Sequence, residues 1–235
     1  MKRLRIHFVY WILPTLITLK CILIYFFNFF GSSHIISPEV NREFGILENL
    51  QLLLIIIILL IAIRAVRLKE NKPEKYLFSF IAALSLFFLF EEIDYGLHYY
   101  ELFSDNIKNT TIRNIHNNGK ITSVFKMTAY IILVVFFGIF PLISAKIKQR
   151  VPFLNYIGPS KNIVSATISL FVLNELAFYL YHQNFHSNRS LDGNVSEFEE
   201  FMTYYIVMLY IMELANTGKK FQVLSFNAAS RHKVL

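Results

Sequence analysis

The sequence predicts an all-α integral membrane protein, a bundle of six transmembrane helices forming one domain over residues 1–235. Three observations carry this. Of the 235 residues, 55% are hydrophobic and only 17% charged, with a mean hydropathy of +0.47. A soluble domain of this size has too little interior to hide so much apolar side chain. The apolar residues fall in six runs of about 18 or more, the length a helix needs to cross the hydrocarbon core. The lysines and arginines gather in alternate connections between those runs.

The first run, about 8–30, follows Lys2, Arg3 and Arg5. Its basic start is shared with signal peptides, but it lacks a small-x-small cleavage site and Lys20 interrupts the apolar stretch, so it reads as a span. The second, about 46–66, contains the stretch LLLIIIILLIAI at 52–63, without the alternation of a β-barrel strand. The third, about 76–98, is apolar to Phe90 and then turns acidic. The fourth, fifth and sixth cover about 122–145, 162–182 and 199–217. In lipid the backbone must satisfy its own hydrogen bonds, which makes helices the expected form. No internal repeat, Gly-rich nucleotide loop or Pro/Ser-rich linker interrupts the chain. A single cysteine, Cys21, excludes an internal disulfide and a Cys-rich zinc site.

Orientation follows from charge. Lys2, Arg3 and Arg5 precede span 1; Arg64, Arg67, Lys69, Lys72 and Lys75 join spans 2 and 3. Lys146, Lys148, Arg150 and Lys161 join spans 4 and 5, and Lys219, Lys220, Arg231 and Lys233 follow span 6. These 16 charges share one face, against Arg42, Lys108, Arg113, Lys120 and Arg189 on the other. The positive-inside rule puts both termini in the cytoplasm of a multi-pass protein of the cell membrane. The net charge of +7 is therefore expected to meet the lipid bilayer, with anionic lipids at the basic cytoplasmic face, and not nucleic acid. Nothing in the pattern names a protein partner.

The acids lie the opposite way. Thirteen of sixteen acidic residues and five of seven histidines fall in the outer half or outer loops. An ionisable group inside an apolar run is costly and is a candidate for function. Span 3 ends FLFEEIDYGLHYYE, and a helix continuing through it would place Glu91, Asp94, His98 and Glu101 in one stripe, with Glu92 on the flank. Each acid at a bilayer centre costs about 2.5–3.5 kcal/mol, while each Leu, Ile or Phe returns only about 0.3–0.6. These acids therefore belong at the outer interface or in a polar cavity, and either placement suits the pattern.

Span 5 reads FVLNELAFYLYHQNFH; Glu175, Tyr179, His182 and His186 share a face if the helix continues to its end. Histidines at i and i+4 are spaced to reach one metal, a spacing that also arises by chance. Glu175 sits about two-thirds of the way across and needs a partner, a proton or water. Glu48 and Gln51 stand a turn apart at the outer end of span 2, where Glu48 also suits the helix dipole. The acids of SEFEEF at the start of span 6 read as a solvated first turn with the same dipole benefit. Lys20, near the middle of span 1, needs a carboxylate neighbour, Glu175 or Glu213, and reads as a packing clamp. The second outer loop carries Arg113, Asn114, His116 and Asn117 just before span 4.

Three segments together carry a resemblance: E-x-G-x-x-E-x-x-Q at Glu43, Gly45, Glu48 and Gln51; F-E-E-I-x-x-G from Phe90 to Gly96; and N-x-H-N from Asn114 to Asn117. They resemble a family of uncharacterised bacterial polytopic membrane proteins whose pattern reads E-E-I-S-W-G-Q and then N-L-H-N. Here Asp94 and Tyr95 stand in place of its Ser-Trp, and Leu97 in place of its Gln. The resemblance spans residues 43–117. It implies a bacterial inner membrane and a shared site of Glu48, Glu91, Glu92, His116 and Asn117; it implies no activity. A looser similarity, to alkaline-ceramidase-like hydrolases that hold zinc between helices, rests on His182-x3-His186 and the Asp94/His98 pair. Six spans instead of seven, and a different spacing, make it an analogy of chemistry alone.

The first expectation is thus a metal-dependent hydrolase or transferase with an outward-facing site, acting on a lipid or lipid-linked substrate. Glu91, Asp94, His98, His182 and His186 would hold a divalent metal such as zinc, Glu48, Glu92 or Glu175 would act as general base, and His116 and Asn117 would complete the site. The competing expectations are an ion or solute transporter or channel component, with the acids lining a cation path, and a membrane scaffold subunit.

Overall fold

The computed structural model describes residues 8–28, 31–38, 45–96, 119–143, 151–183, 195 and 197–217. Every element among them is helical. Helix α1 is Phe8–Phe27, its first turn Phe8–Ile12 wound as a π-helix and Leu13–Phe27 as an α-helix. A short α2, Ser33–Ile36, precedes α3, Ile46–Leu68, and α4, Lys72–Glu92. Helix α5 begins as Gly119–Ile132, continues as a π-helix over Leu133–Ile139 and closes in a 3-10 turn, Phe140–Leu142. Then come α6, Pro152–Ile157, α7, Asn162–His182, and α8, Glu197–Asn216.

Both π-helical segments adjoin a proline, Pro14 or Pro141. Proline donates no N–H to the carbonyl four residues back and its ring crowds it, so the turn ahead of each proline widens. Asn71 precedes α4, its amide reaching Glu74 at 3.1 Å, and Pro73 suits the first turn, where a missing N–H goes unnoticed. Glu48 in the first turn of α3 and Arg67 in its last both match the helix dipole.

Four helices, α1, α3, α4 and α7, are long and apolar enough to cross a membrane. Six were expected. The apolar part of α5, Lys126–Leu142, falls short of that length. Helix α8 has 20 residues, about 30 Å of rise, but carries Glu197, Glu199, Glu200 and Glu213. The third expected span also changes. It ends at Glu92, not at residue 98, because the chain leaves the helix in a tight turn at Asp94–Gly96 with Tyr95 in the left-handed region (φ 55°) and Gly96 at φ 87°.

Helix α8 is the hub, packed on α3, α7 and α1, while α4 packs on α3 and the π segment of α5 packs on α7. It buries Phe198, Phe201, Met202, Ile206 and Leu209 against those neighbours. Helix α4 by contrast exposes Phe80, Leu84, Phe87 and Phe88. An apolar surface of this extent suits lipid. Where α3 ends, Lys69 ties three helices together: its ammonium meets the Thr217 carbonyl beyond α8 at 3.3 Å and Glu74 of α4 at 3.8 Å, above the buried Phe78 ring. Tyr156 of α6 is buried beside Glu74; burial first, and then that carboxylate, push its phenol above the ordinary range.

Gly45 sets the entry to α3. A Cβ there would sit 2.3 Å from the Ile36 carbonyl oxygen and 3.1 Å from Pro38 Cδ, so only glycine lets the backbone after α2 lie against α3. Gly45→Ala should cost about 1–3 kcal/mol through this overpacking. A thermal melt of the purified variant checks it; an unchanged midpoint would show that α2 does not pack there.

Candidate carboxylate site at the start of helix α8

Two of the expected acids, Glu48 and Glu92, lie near the first two turns of α8. Free N–H groups at a helix start favour negative charge, which accounts locally for Glu197, Glu199 and Glu200. Helical spacing then puts Glu197, Glu200 and Tyr204 on one face. The expectation of a solvated first turn is corrected here: Glu197 is 5% exposed and packs on α3. Gln51 of α3, fully buried, donates from Nε2 to the Glu197 carbonyl at 3.2 Å and to Glu197 Oε2 at 3.4 Å. Its Oε1 is buried with no hydrogen-bond partner among the described residues.

Glu48 lies one turn before Gln51 on α3, half-buried. Glu92, at the end of α4, accepts a hydrogen bond from the Tyr204 hydroxyl at 2.6 Å. Lys126 of α5 pairs with Glu200 at 3.4 Å, and the Glu197 and Glu92 charges also act on Glu200. The Glu48 and Glu200 charges reach Tyr204. Four carboxylates from α3, α4 and α8 thus lie near the start of α8, linked through Tyr204 and through their charges, and one of them, Glu197, meets the buried Gln51 carboxamide. The Lys126–Glu200 pair, with side chains 47% and 35% exposed, holds little stability on its own. The outer part of α5 is open, every residue from Lys126 to Ile132 being exposed.

Glu91 points elsewhere. It is buried and accepts a hydrogen bond from Tyr95, whose ring stacks on Phe90 at 6.3 Å. That bond holds the Tyr95 proton and pushes its pKa up. It also helps hold a bulky residue in a conformation that L side chains rarely adopt. The expected Glu91/Asp94/His98 stripe therefore loses its helical basis at Ile93, and Glu91 and Asp94 belong to different elements.

Of the expected catalytic set, Glu48 and Glu92 enter the site. Glu175 is exposed on α7 and reaches it only through the effect of its charge on Glu199. His116 and Asn117 lie outside the described residues, as do Arg113, Asn114, Glu101, His98 and His186. His182 is the exposed last residue of α7, its ring edge-on to Tyr181. Among the described residues, no three His, Cys, Asp or Glu side chains are placed to share a metal ion. The expected lysine clamp on Glu213 is likewise replaced. Glu213 takes the Tyr10 hydroxyl at 2.7 Å, the Ser160 N–H at 3.0 Å and the Ser160 hydroxyl, while Lys20 is exposed.

Gln51, Glu197, Glu200, Tyr204 and Lys126 were not among the expected site residues. The signal for three of them was the i, i+3, i+7 spacing on α8. Comparison of the chain with protein-family models, curated proteins and solved structures finds no match.

A double-mutant cycle tests the geometry. A hydrogen bond to a charged group contributes about 1.5–3 kcal/mol, and Tyr204→Phe with Glu92→Gln should show a coupling of that size. Coupling below about 0.5 kcal/mol, measured by thermal or denaturant unfolding, would mean that the two side chains do not meet.

Proposed function

We propose that the chain is a six-span membrane protein with both termini in the cytoplasm, whose outer carboxylate site takes up and releases a cation, a proton first of all, as part of a transporter or channel. In this reading α5 and α8 are the two further spans, and the basic cytoplasmic connections rest on anionic lipids.

One observation carries the proposal: the buried Gln51 carboxamide donates to Glu197 and keeps its Oε1 without a hydrogen-bond partner among the described residues, at the head of α8 where the Glu92, Glu197 and Glu200 charges act on one another. A buried acceptor is costly until a donor reaches it. Carboxylates close enough to act on one another in a membrane hold their charge only with a cation or a proton to offset it. Both needs are met by a proton on one of the acids, or by a cation with N–H or water donors. Lys126, on the open part of α5, is the built-in cation that an incoming charge would replace at Glu200.

The hydrolase or transferase reading needs Glu91, Asp94, His98, His182 and His186 around one metal, and among the described residues no three such side chains are placed to share one. The positions of Glu48 and Glu92 fit either role, as base or as cation ligand.

The test is flux. Protein reconstituted in liposomes should dissipate an imposed proton, sodium or potassium gradient, and Glu92→Gln and Gln51→Leu should each lower that flux about tenfold or more. No flux under any of the three gradients, with the protein shown to be inserted and folded, would overturn the proposal.

A further inference from the structure

Lys20 and Glu175 are the exposed charges in the interior of α1 and α7. The outward face of α1 carries Leu16, Lys20, Leu23 and Phe27, and that of α7 carries Ile168, Val172, Glu175 and Tyr179. Each stripe is apolar except for one charge, and the two charges are opposite. A single charged group near the middle of a lipid-facing helix is strongly disfavoured without a partner.

Their depths agree. Tyr10 at the inner end of α1 and Ser160 just before α7 both bond to Glu213, so the two helices start level. At about 1.5 Å per residue, Lys20 stands about 15 Å above Tyr10 and Glu175 about 20 Å above Asn162. A lysine stem spans the remaining difference.

We infer that the outward faces of α1 and α7 form an interface with a second copy of this chain, with Lys20 of each copy paired to Glu175 of the other. Two copies inserted by the same positive-inside rule share one orientation, so a two-fold axis along the membrane normal keeps every residue at its depth. Helices α1 and α7 pack side by side. Setting this pair against its two-fold mate lays α1 on α7 twice and makes two reciprocal ion pairs. In a low dielectric such pairs attract strongly, and the flanking leucines, isoleucine and valine supply packing between the helices. This interface is separate from the carboxylate site in its contacts, since neither Lys20 nor Glu175 hydrogen-bonds to it, and only the Glu175 charge is felt there, at Glu199.

The experiment is energy transfer between donor- and acceptor-labelled full-length chains in liposomes, over a range of protein-to-lipid ratios. The wild type should self-associate, and Lys20→Glu and Glu175→Lys should each weaken association about tenfold or more. The combined Lys20→Glu/Glu175→Lys variant should return to within about threefold of the wild type. A monomeric wild type, or a combined variant as weak as the single ones, overturns the inference. Lys20→Met serves as the milder variant: association lost with an unchanged thermal midpoint supports the interface, and association kept counts against it.

Discussion

A carboxylate in hydrocarbon has to face something other than lipid, and that constraint arranges the whole bundle. Helix α8 carries four glutamates in 20 residues, yet it is the helix that α3, α7 and α1 enclose. The uninterrupted apolar helices take the outside, α4 above all, with phenylalanines exposed along its length. This is the reverse of a soluble core, where the most apolar segment goes to the centre. Inside α8's enclosure three of the four acids have an assigned neighbour: Glu197 has Gln51, Glu200 has Lys126, and Glu213 has Tyr10 and Ser160.

Span positions were legible because a membrane helix is decided locally. Its hydrogen bonds are internal and its length is set by the bilayer, so Ile46–Leu68 and Asn162–His182 lie close to where hydropathy alone puts them. The end of α4 was not legible. FEEIDYGLHYYE holds no proline, and its one glycine follows the residue that breaks the helix. What turns the chain is Tyr95 in the left-handed region, held by a hydrogen bond back to Glu91 and by stacking on Phe90. None of these contacts has a periodic signature. The acids of α8 misled for a different reason. A helix dipole explains them adequately in isolation, and only the burial of Glu197 against α3 shows that they face inward.

The spacing of Gly45, Glu48 and Gln51 now has a physical meaning at each position. Gly45 admits the Ile36 carbonyl where any side chain would clash. Gln51, two turns further along α3, lies against the start of α8 and holds Glu197. Glu48 stands between them, half-buried, with its charge felt at Tyr204. The glycine therefore fixes the approach of the chain to α3, and the glutamate and glutamine place one acid and one amide at the head of α8. The segment reads as a docking edge for α8 as much as a set of chemical groups.

The polar groups in the inner half of α8 serve a different end. Tyr205 donates to the Val9 carbonyl at 2.8 Å and Tyr210 to the Ile157 carbonyl at 2.7 Å. Glu213 joins Tyr10 to Ser160. These contacts bind the start of α1 and the α6–α7 connection to α8. The widened π turn at Phe8–Ile12, a consequence of Pro14, makes part of this possible by leaving Val9 and Tyr10 on the side of α8. Polar side chains are thus present at both ends of α8, but those at the inner end are engaged with backbone and hydroxyl partners, whereas the outer group keeps a buried acceptor unpartnered. In the proposed reading, a cation that reaches this group meets an acceptor still to be satisfied.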